Sequence, residues 1–316
     1  MERRRIQLVA GATYSVSLPK EWITKNNLRK HDEVMFTEKA DRTLVLSVGN
    51  PKAESPTSIS LNADEYGDQI DQVLFAVYYL GIEEITFFSR QQLAKDVKMR
   101  IRRANKSLSG TEVTYEDKQK MIIRVLLGRE RVDILQILYR ISLIIDLSIS
   151  NVMEELDLET LQINEDEVDR LYQLVTKTVS LSLIDTATLQ SSGIKNAYLI
   201  PSFFLLGKKL ENLQDHLITL AKYIHESPRK PSYVKDFLPL IAPEIRRSVN
   251  HLQSNDGRVF QKLSREKAKA MQDDIERLKD GHLASQLSAI MRLLVDIGEE
   301  AVNISFYKHL AGEKII

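Results

Sequence analysis

The feature that most constrains this chain is the spacing of its apolar residues from position 203 onward. Phe203, Leu206, Leu210, Leu213, Leu217, Leu220 and Ile224 alternate steps of three and four. Leu283, Leu287, Ile290, Leu294, Ile297, Ala301 and Ile304 repeat the alternation 80 residues later, shifted. That period places one stripe on one face of a long helix, the seam of an antiparallel bundle. An earlier stripe, Ile134, Leu138, Ile141, Ile145, Val152 and Leu156, marks the first helix of the same region. Breakers at 191–193, 227–232 and 255–257 divide residues 130–316 into roughly six helices, and Pro239 and Pro243 are expected to kink the fourth. Asp215–Ile304 contains an internal echo: Asp215-His216-Leu217-Ile218-Thr219-Leu220 and Glu299-Glu300-Ala301-Val302-Asn303-Ile304 lie 84 residues apart, each in the last helix of a three-helix group. The expected arrangement is two three-helix bundles in tandem, 129–227 and 228–316, joined at Pro228-Arg229-Lys230-Pro231.

The preceding segments have a different period. Residues 5–48 alternate as strands, with Ile6, Leu8 and Ala10, then Tyr14, Val16 and Leu18, then Val34 and Phe36, and finally Leu44, Leu46 and Val48 after a turn at 39–42. Pro19-Lys20-Glu21-Trp22-Ile23 opens a short helix between the pairs. A unit of about 45 residues rarely supports its own core without disulfides, metal or a partner chain. With no cysteine in the chain, residues 1–50 are expected to dimerise. A polar linker at 49–56 follows. Residues 55–128 then read β-α-β-α-β-β: a strand at Ile59/Leu61, a helix from Asp64 to Leu80, a strand at 82–88, a helix at 90–106 and strands at 111–116 and 120–127. The fold class is therefore multidomain α+β: a small β unit, an α/β insert, and two helical bundles.

Forty-four basic and 44 acidic residues cancel overall, but they do so in blocks. Residues 1–30 hold seven Lys/Arg against two Glu, residues 90–106 seven against one Asp, and residues 151–190 two against nine acids. In the first block, Arg3, Arg4, Arg5, Lys20, Arg29 and Lys30 are the candidate DNA contacts, since a β-ribbon enters the major groove with Arg reading guanine and other cations holding phosphates. An Arg-rich arm is equally familiar as a solubilising tail. In the second block, Lys95, Lys98, Arg102 and Arg103 read as a solvated helix face.

The acidic block holds the candidate metal ligands. Glu165 and Asp169 are four apart on one helix, and Glu211 and Asp215 four apart on the next. Residues at i and i+4 share a helix face, so two pairs on neighbouring helices can converge on one point. Four carboxylates suit Mg²⁺, Ca²⁺, Mn²⁺ or Fe, and His216 could add a nitrogen. A single pair of this kind is ordinary on a solvated helix. No nucleotide loop, metalloprotease helix or hydrolase elbow occurs in the sequence, so no catalytic residue is assigned and an enzyme is not expected. A carboxylate-metal enzyme of the ferritin-like kind would call for Glu-x-x-His on two helices, which the sequence lacks. No uncharged apolar run reaches the ~18 residues of a membrane span. The lack of cysteine fits a reducing, cytoplasmic location.

Two resemblances gather these observations. Gly11-Ala12-Thr13-Tyr14-Ser15-Val16-Ser17-Leu18-Pro19-Lys20-Glu21-Trp22, with Asp32-Glu33-Val34, resembles the AbrB/SpoVT-like swapped-hairpin DNA-binding domain. That resemblance implies two interleaved chains in one barrel, with basic residues near the strand ends on DNA. His31 stands where that family has Gly. Asp166-Glu167-Val168-Asp169-Arg170-Leu171-Tyr172 and Ile297-Gly298-Glu299-Glu300-Ala301-Val302-Asn303-Ile304 resemble the second-helix and last-helix signatures of the PhoU family of phosphate-uptake regulators. That family has tandem three-helix bundles whose paired acidic motifs bind metal clusters. The first repeat keeps both motifs, whereas the second has Val295 and Glu299 in place of the acid pair and no acidic opening to its middle helix. The whole order resembles archaeal PhoU-type regulators. It implies a homodimeric, DNA-binding regulator of phosphate uptake, with one divalent or iron-type metal site in the first bundle. The alternative is a helical interaction module that acts on a phosphate transporter or sensor kinase without DNA.

Overall fold

A computed structural model describes residues 3–38, 43–48, 58–128, 132–194, 196–227, 232–254 and 257–312. The expected turn at 39–42, the linker at 49–56, the joint at 228–231 and the Asn255-Asp256 breaker lie outside the described residues. The chain is mixed α+β and divides into two compact units, 1–53 and 54–316.

The first unit contains two hairpins and one short helix. β1 (Gln7–Val9) pairs with β2 (Thr13–Ser15) antiparallel, with Leu8 opposite Tyr14. Ala10 and Gly11, both at positive φ, make the turn. α1 (Lys20–Lys25) follows Pro19. β3 (Val34–Glu38) pairs with β4 (Leu44–Val48), with Phe36 opposite Leu46. The hairpins remain two separate two-stranded sheets. His31 takes a φ of 78°, and Asp32 closes its turn by accepting a hydrogen bond from the Arg29 N–H at 2.7 Å. No described residue of this unit is buried. Ile6, Leu8, Tyr14 and Phe36 are each more than half exposed.

In the second unit, β5 (Ser58–Asn62), β6 (Glu84–Phe88), β7 (Thr111–Glu116) and β8 (Lys120–Val125) form one sheet in the order β5-β6-β8-β7, with only β5 and β6 parallel. Alternation sends Ile85, Phe87, Met121 and Ile123 into a core with Ile70, Leu74 and Tyr78 of α2 (Ile70–Tyr79) and Ile101 of α3 (Lys95–Lys106). The helices therefore cover one face. The opposite face carries the cross-strand Glu84–Arg124 ion pair, at 2.7 Å. Two expected boundaries are corrected. Asp64 does not open α2: the Asn62 side chain accepts from the Asp64 N–H, and two 3₁₀ turns fill 63–69 before α2 starts at Ile70. The second helix begins at Lys95 rather than at 90. As the sequence suggests, α2 stops at Gly81, which takes a φ of 75°.

The helical region comprises α4 (Ile134–Glu154), α5 (Leu158–Ser182), the short α6 (Thr186–Ser191), α7 (Ile200–Glu226), α8 (Ser232–Gln253), α9 (Arg265–Glu276) and α10 (Gly281–Gly312). Asp133, Asp157, Asp185 and Ser264 cap their helices through side-chain acceptors. The seam residues of α7 and α10 are buried as their spacing demands. Leu156 is not part of the first stripe: it lies beyond α4 at φ 50°, in the turn to α5. α8 runs through both Pro239 and Pro243. α7 packs against α4, α5 and α10, and α8 against α4 and α10, so one apolar core runs continuously through both three-helix groups. α4 is long and apolar enough to cross a membrane by length and composition; ten of its residues are buried within the protein, including Ile134, Leu138, Ile141 and Ile145.

The α/β layer docks on α5. The Tyr79 hydroxyl donates to the Gln173 side chain, Ser109 Oγ donates to the Arg170 carbonyl at 3.2 Å, and the Lys177 ammonium lies 4.2 Å from the Tyr78 ring centroid.

Candidate metal centre

Two rows of buried apolar residues determine where the acids fall. On α5, Leu161, Val168, Leu171 and Val175 face the core; on α7, Leu206, Leu210, Leu213 and Leu217 do. Glu165 and Asp169 therefore lie at the edge of α5, and Glu211 and Asp215 at the edge of α7. Gly207 draws the helices together, since a Cβ there would come within 3.1 Å of Val175 Cγ1. The helices run antiparallel, so Asp169 comes level with the Glu211–Asp215 turn.

Glu165, Asp169 and Asp215 each offer an oxygen within 4.8 Å of the other two. Oxygens bound across a Ca²⁺ ion at ~2.4 Å each are separated by at most about that distance. Asp169 Oδ1 is buried and has no hydrogen-bond partner. Burial, and then the charges of Glu165, Glu211 and Asp215, push the Asp169 carboxyl up to about 7, with Lys208 opposing. Glu165 is raised by burial and by Asp166 and Asp215; Asp215 is raised by burial against the pull of Lys208. Partly desolvated carboxylates that repel one another favour either a proton or a cation between them. An all-oxygen donor set with an orphaned buried oxygen fits a hard divalent cation.

The fourth expected ligand is occupied otherwise. Lys208 Nζ donates to both Glu211 oxygens, at 2.7 and 2.6 Å. The same ammonium lies 5.0 Å from the Tyr172 ring centroid. Glu211 thus borders the triad as half of an ion pair. His216 is also directed elsewhere, with Nδ1 3.0 Å from Gln286 Oε1, linking α7 to α10. In the second repeat Val295 packs against the core, Glu299 pairs with Lys262 at 2.6 Å, and Asp296 pairs with Lys209 at 2.8 Å. Among the described residues, Glu165, Asp169 and Asp215 are the one such acidic cluster.

Behind the triad lies a polar layer that no sequence pattern disclosed. Ser148 Oγ on α4 accepts from Asn164 on α5 at 3.1 Å and from the fully buried Gln214 on α7 at 3.0 Å, and donates to the Ile144 carbonyl. Asn164 and Gln214 directly precede Glu165 and Asp215. The only available signal was Gln214 beside the seam residue Leu213.

The basic candidates occupy the first unit. Arg3, Arg4 and Arg5 precede β1, Lys20 opens α1, and Arg29 and Lys30 lie in the turn that contains His31; all six are exposed. Three of the six basic residues of α3 are engaged: Lys98 and Arg102 pair with Glu116, and Arg100 pairs with Asp68 at 2.7 Å. No protein-family model, curated protein or solved structure matches the chain.

Proposed function

We propose that the protein is a homodimeric DNA-binding regulator of phosphate uptake, with a helical body that binds a divalent or iron-type cation. The observation that carries this reading is that none of the described side chains in residues 3–38 and 43–48 is buried. Strands whose apolar faces stay in water do not persist alone. A second copy supplying its own hairpins would cover Ile6, Leu8, Tyr14 and Phe36, as the AbrB-like resemblance implies. Pairing the units would also double the exposed cations Arg3, Arg4, Arg5, Lys20, Arg29 and Lys30 into one basic face. The word phosphate comes from the PhoU resemblance of the bundles; the acidic triad supports the cation.

In this reading Glu165, Asp169 and Asp215 hold the ion, which offsets their mutual repulsion and clamps α5 to α7. Lys208 keeps Glu211 neutralised at the rim. No reaction is assigned.

Titration of a fluorescent duplex with the full-length protein tests the proposal. With six to eight phosphates contacted, log K falls against log salt with a slope of about −5 to −7, and replacing Arg3, Arg4 and Arg5 with Ala flattens it. A salt-independent signal, or no binding by a protein that still dimerises, overturns the DNA role and leaves the interaction module acting on a transporter or kinase.

A further inference from the structure

We propose that the edge of strand β5 pairs with the same edge of a second copy of this chain, antiparallel about Ser60, and joins two α/β layers into one continuous sheet. The two edges of the four-stranded sheet differ. β7 is blunted in the ways that keep edges from pairing: it carries Glu112 and Glu116, and its ladder slips between Val113 and Tyr115. β5 has neither device. Its five residues, Ser58, Ile59, Ser60, Leu61 and Asn62, include no charge and no proline, and its register with β6 is unbroken. Among the described residues the backbone of β5 pairs with β6 alone. Every second residue therefore directs its N–H and C=O outward, away from the sheet.

The strand also complements itself. A twofold axis perpendicular to the sheet makes an isologous, antiparallel contact and leaves each residue on the same face as its copy. Directly opposed residues share a face, so only registers that pair positions of equal parity are open to it. Centring on Ser60 is the register that engages all five residues. Ser58 then opposes the partner's Asn62, Ile59 opposes the partner's Leu61, and Ser60 opposes its own copy. Ile59 and Leu61 are only partly buried, at the margin of a core in which Ile85 and Phe87, one strand inward, are fully buried. A second copy covers them with side chains of the same kind. On the other face hydroxyl and amide groups meet, and no like charges oppose each other.

The length of chain before β5 favours a second copy over a foreign strand. An edge of five residues is a small contact, below the size that holds free chains together. Residues 49–57 connect β4 to β5, and nine residues span at most about 30 Å. Pairing of the N-terminal units therefore keeps the two copies of β5 at a high effective concentration. That part of the argument rests on the N-terminal dimer proposed above; the chemistry of the edge does not.

Single cysteines test the pairing, because the chain has none of its own. Ser58 and Ser60 are both exposed, so neither substitution disturbs the core. In the full-length protein under mild oxidation, Ser60→Cys is expected to form a disulfide between two copies. Directly opposed Cα atoms lie ~4.5–5.5 Å apart, within the ~4.4–6.8 Å that a disulfide bridges. Ser58→Cys holds its two thiols four residues out of step, about 14 Å apart, and is expected to give at least tenfold less covalent dimer on a non-reducing gel. Sedimentation of the parent protein separates this proposal from the N-terminal dimer. A dimeric parent in which Ser60→Cys does not cross-link, or cross-links no better than Ser58→Cys, overturns the edge pairing and leaves the N-terminal dimer standing. A monomeric parent overturns the N-terminal dimer, and a tenfold preference for Ser60→Cys then still supports the edge.

Discussion

Residues 3–48 and the helices beyond 134 both carry regular apolar spacing, yet they end in opposite states. Leu8 and Tyr14 alternate as correctly as any strand pair and remain in water, whereas Leu210 and Leu217 are fully buried. The difference is the number of neighbouring elements. α7 meets α4, α5 and α10 within one chain, while the two hairpins of the first unit remain separate sheets. Periodicity determines which face is apolar, and only a second surface determines whether that face is dry. In the proposed reading, the N-terminal unit takes its second surface from another copy of the chain.

The contrast is broken or sharpened by comparing two truncations. Leu210→Ala is expected to destabilise the helical body by about 2–5 kcal/mol, measured by the helical circular dichroism signal in urea and unchanged by protein concentration. Leu8→Ala should cost little in dilute solution, where its side chain is already solvated, and about 1–3 kcal/mol at concentrations where chains pair. Trp22, the single tryptophan, lies in α1 and reports this unit alone. A Trp22 transition independent of concentration in the parent protein removes the need for a second copy.

A smaller effect separates the charged edge of the body from its core. Asp169 retains its proton to about pH 7 in the folded protein, against ~3.9 when unfolded. Between those values the folded state binds more protons, so stability falls as pH rises, and the penalty is complete above pH 7. Asp169→Asn removes it. Because the side chain is partly solvated, the gain is on the order of 1 kcal/mol, seen as a Tm higher by about 2–4 °C at pH 8 and equal to the parent near pH 4. Mn²⁺ or Mg²⁺ raises the parent's Tm at pH 8 and not the variant's. A variant that still responds to the ion places the cation elsewhere. The smallest effect belongs to Lys262→Ala, which breaks the surface pair with Glu299 at a cost of about 0.2–1 kcal/mol and only at low salt.

The sequence disclosed what depends on local period and backbone geometry. The 3–4 stripes of α7 and α10 are buried, Gly81 ends α2, and His31 holds the positive φ that its turn requires. It disclosed less where tertiary contact decides. Pro239 and Pro243 are expected to kink α8, and the helix, packed on both α4 and α10, continues past them. Leu156 fits the stripe of α4 by count, yet the chain turns there to begin α5. For the carboxylates, spacing brought three together; the capture of Glu211 depends on the position of Lys208 one turn earlier, a contact that any exposed Lys-x-x-Glu can make or leave unmade.

The layer joining Ser148, Asn164 and Gln214 has a mechanical consequence. Oily seams tolerate slippage, because one leucine can take the place of the next a turn along. Here each of three rods contributes a single hydrogen-bonding tooth to the same dry spot. Sliding α4 by one turn would strand both Asn164 and Gln214, and sliding α5 or α7 would strand one of them, a loss of about 1–3 kcal/mol apiece. The bundle is thus keyed like a lock at the level of its acidic edge, and Glu165 and Asp215, one step along from Asn164 and Gln214, are held in alignment before any cation arrives.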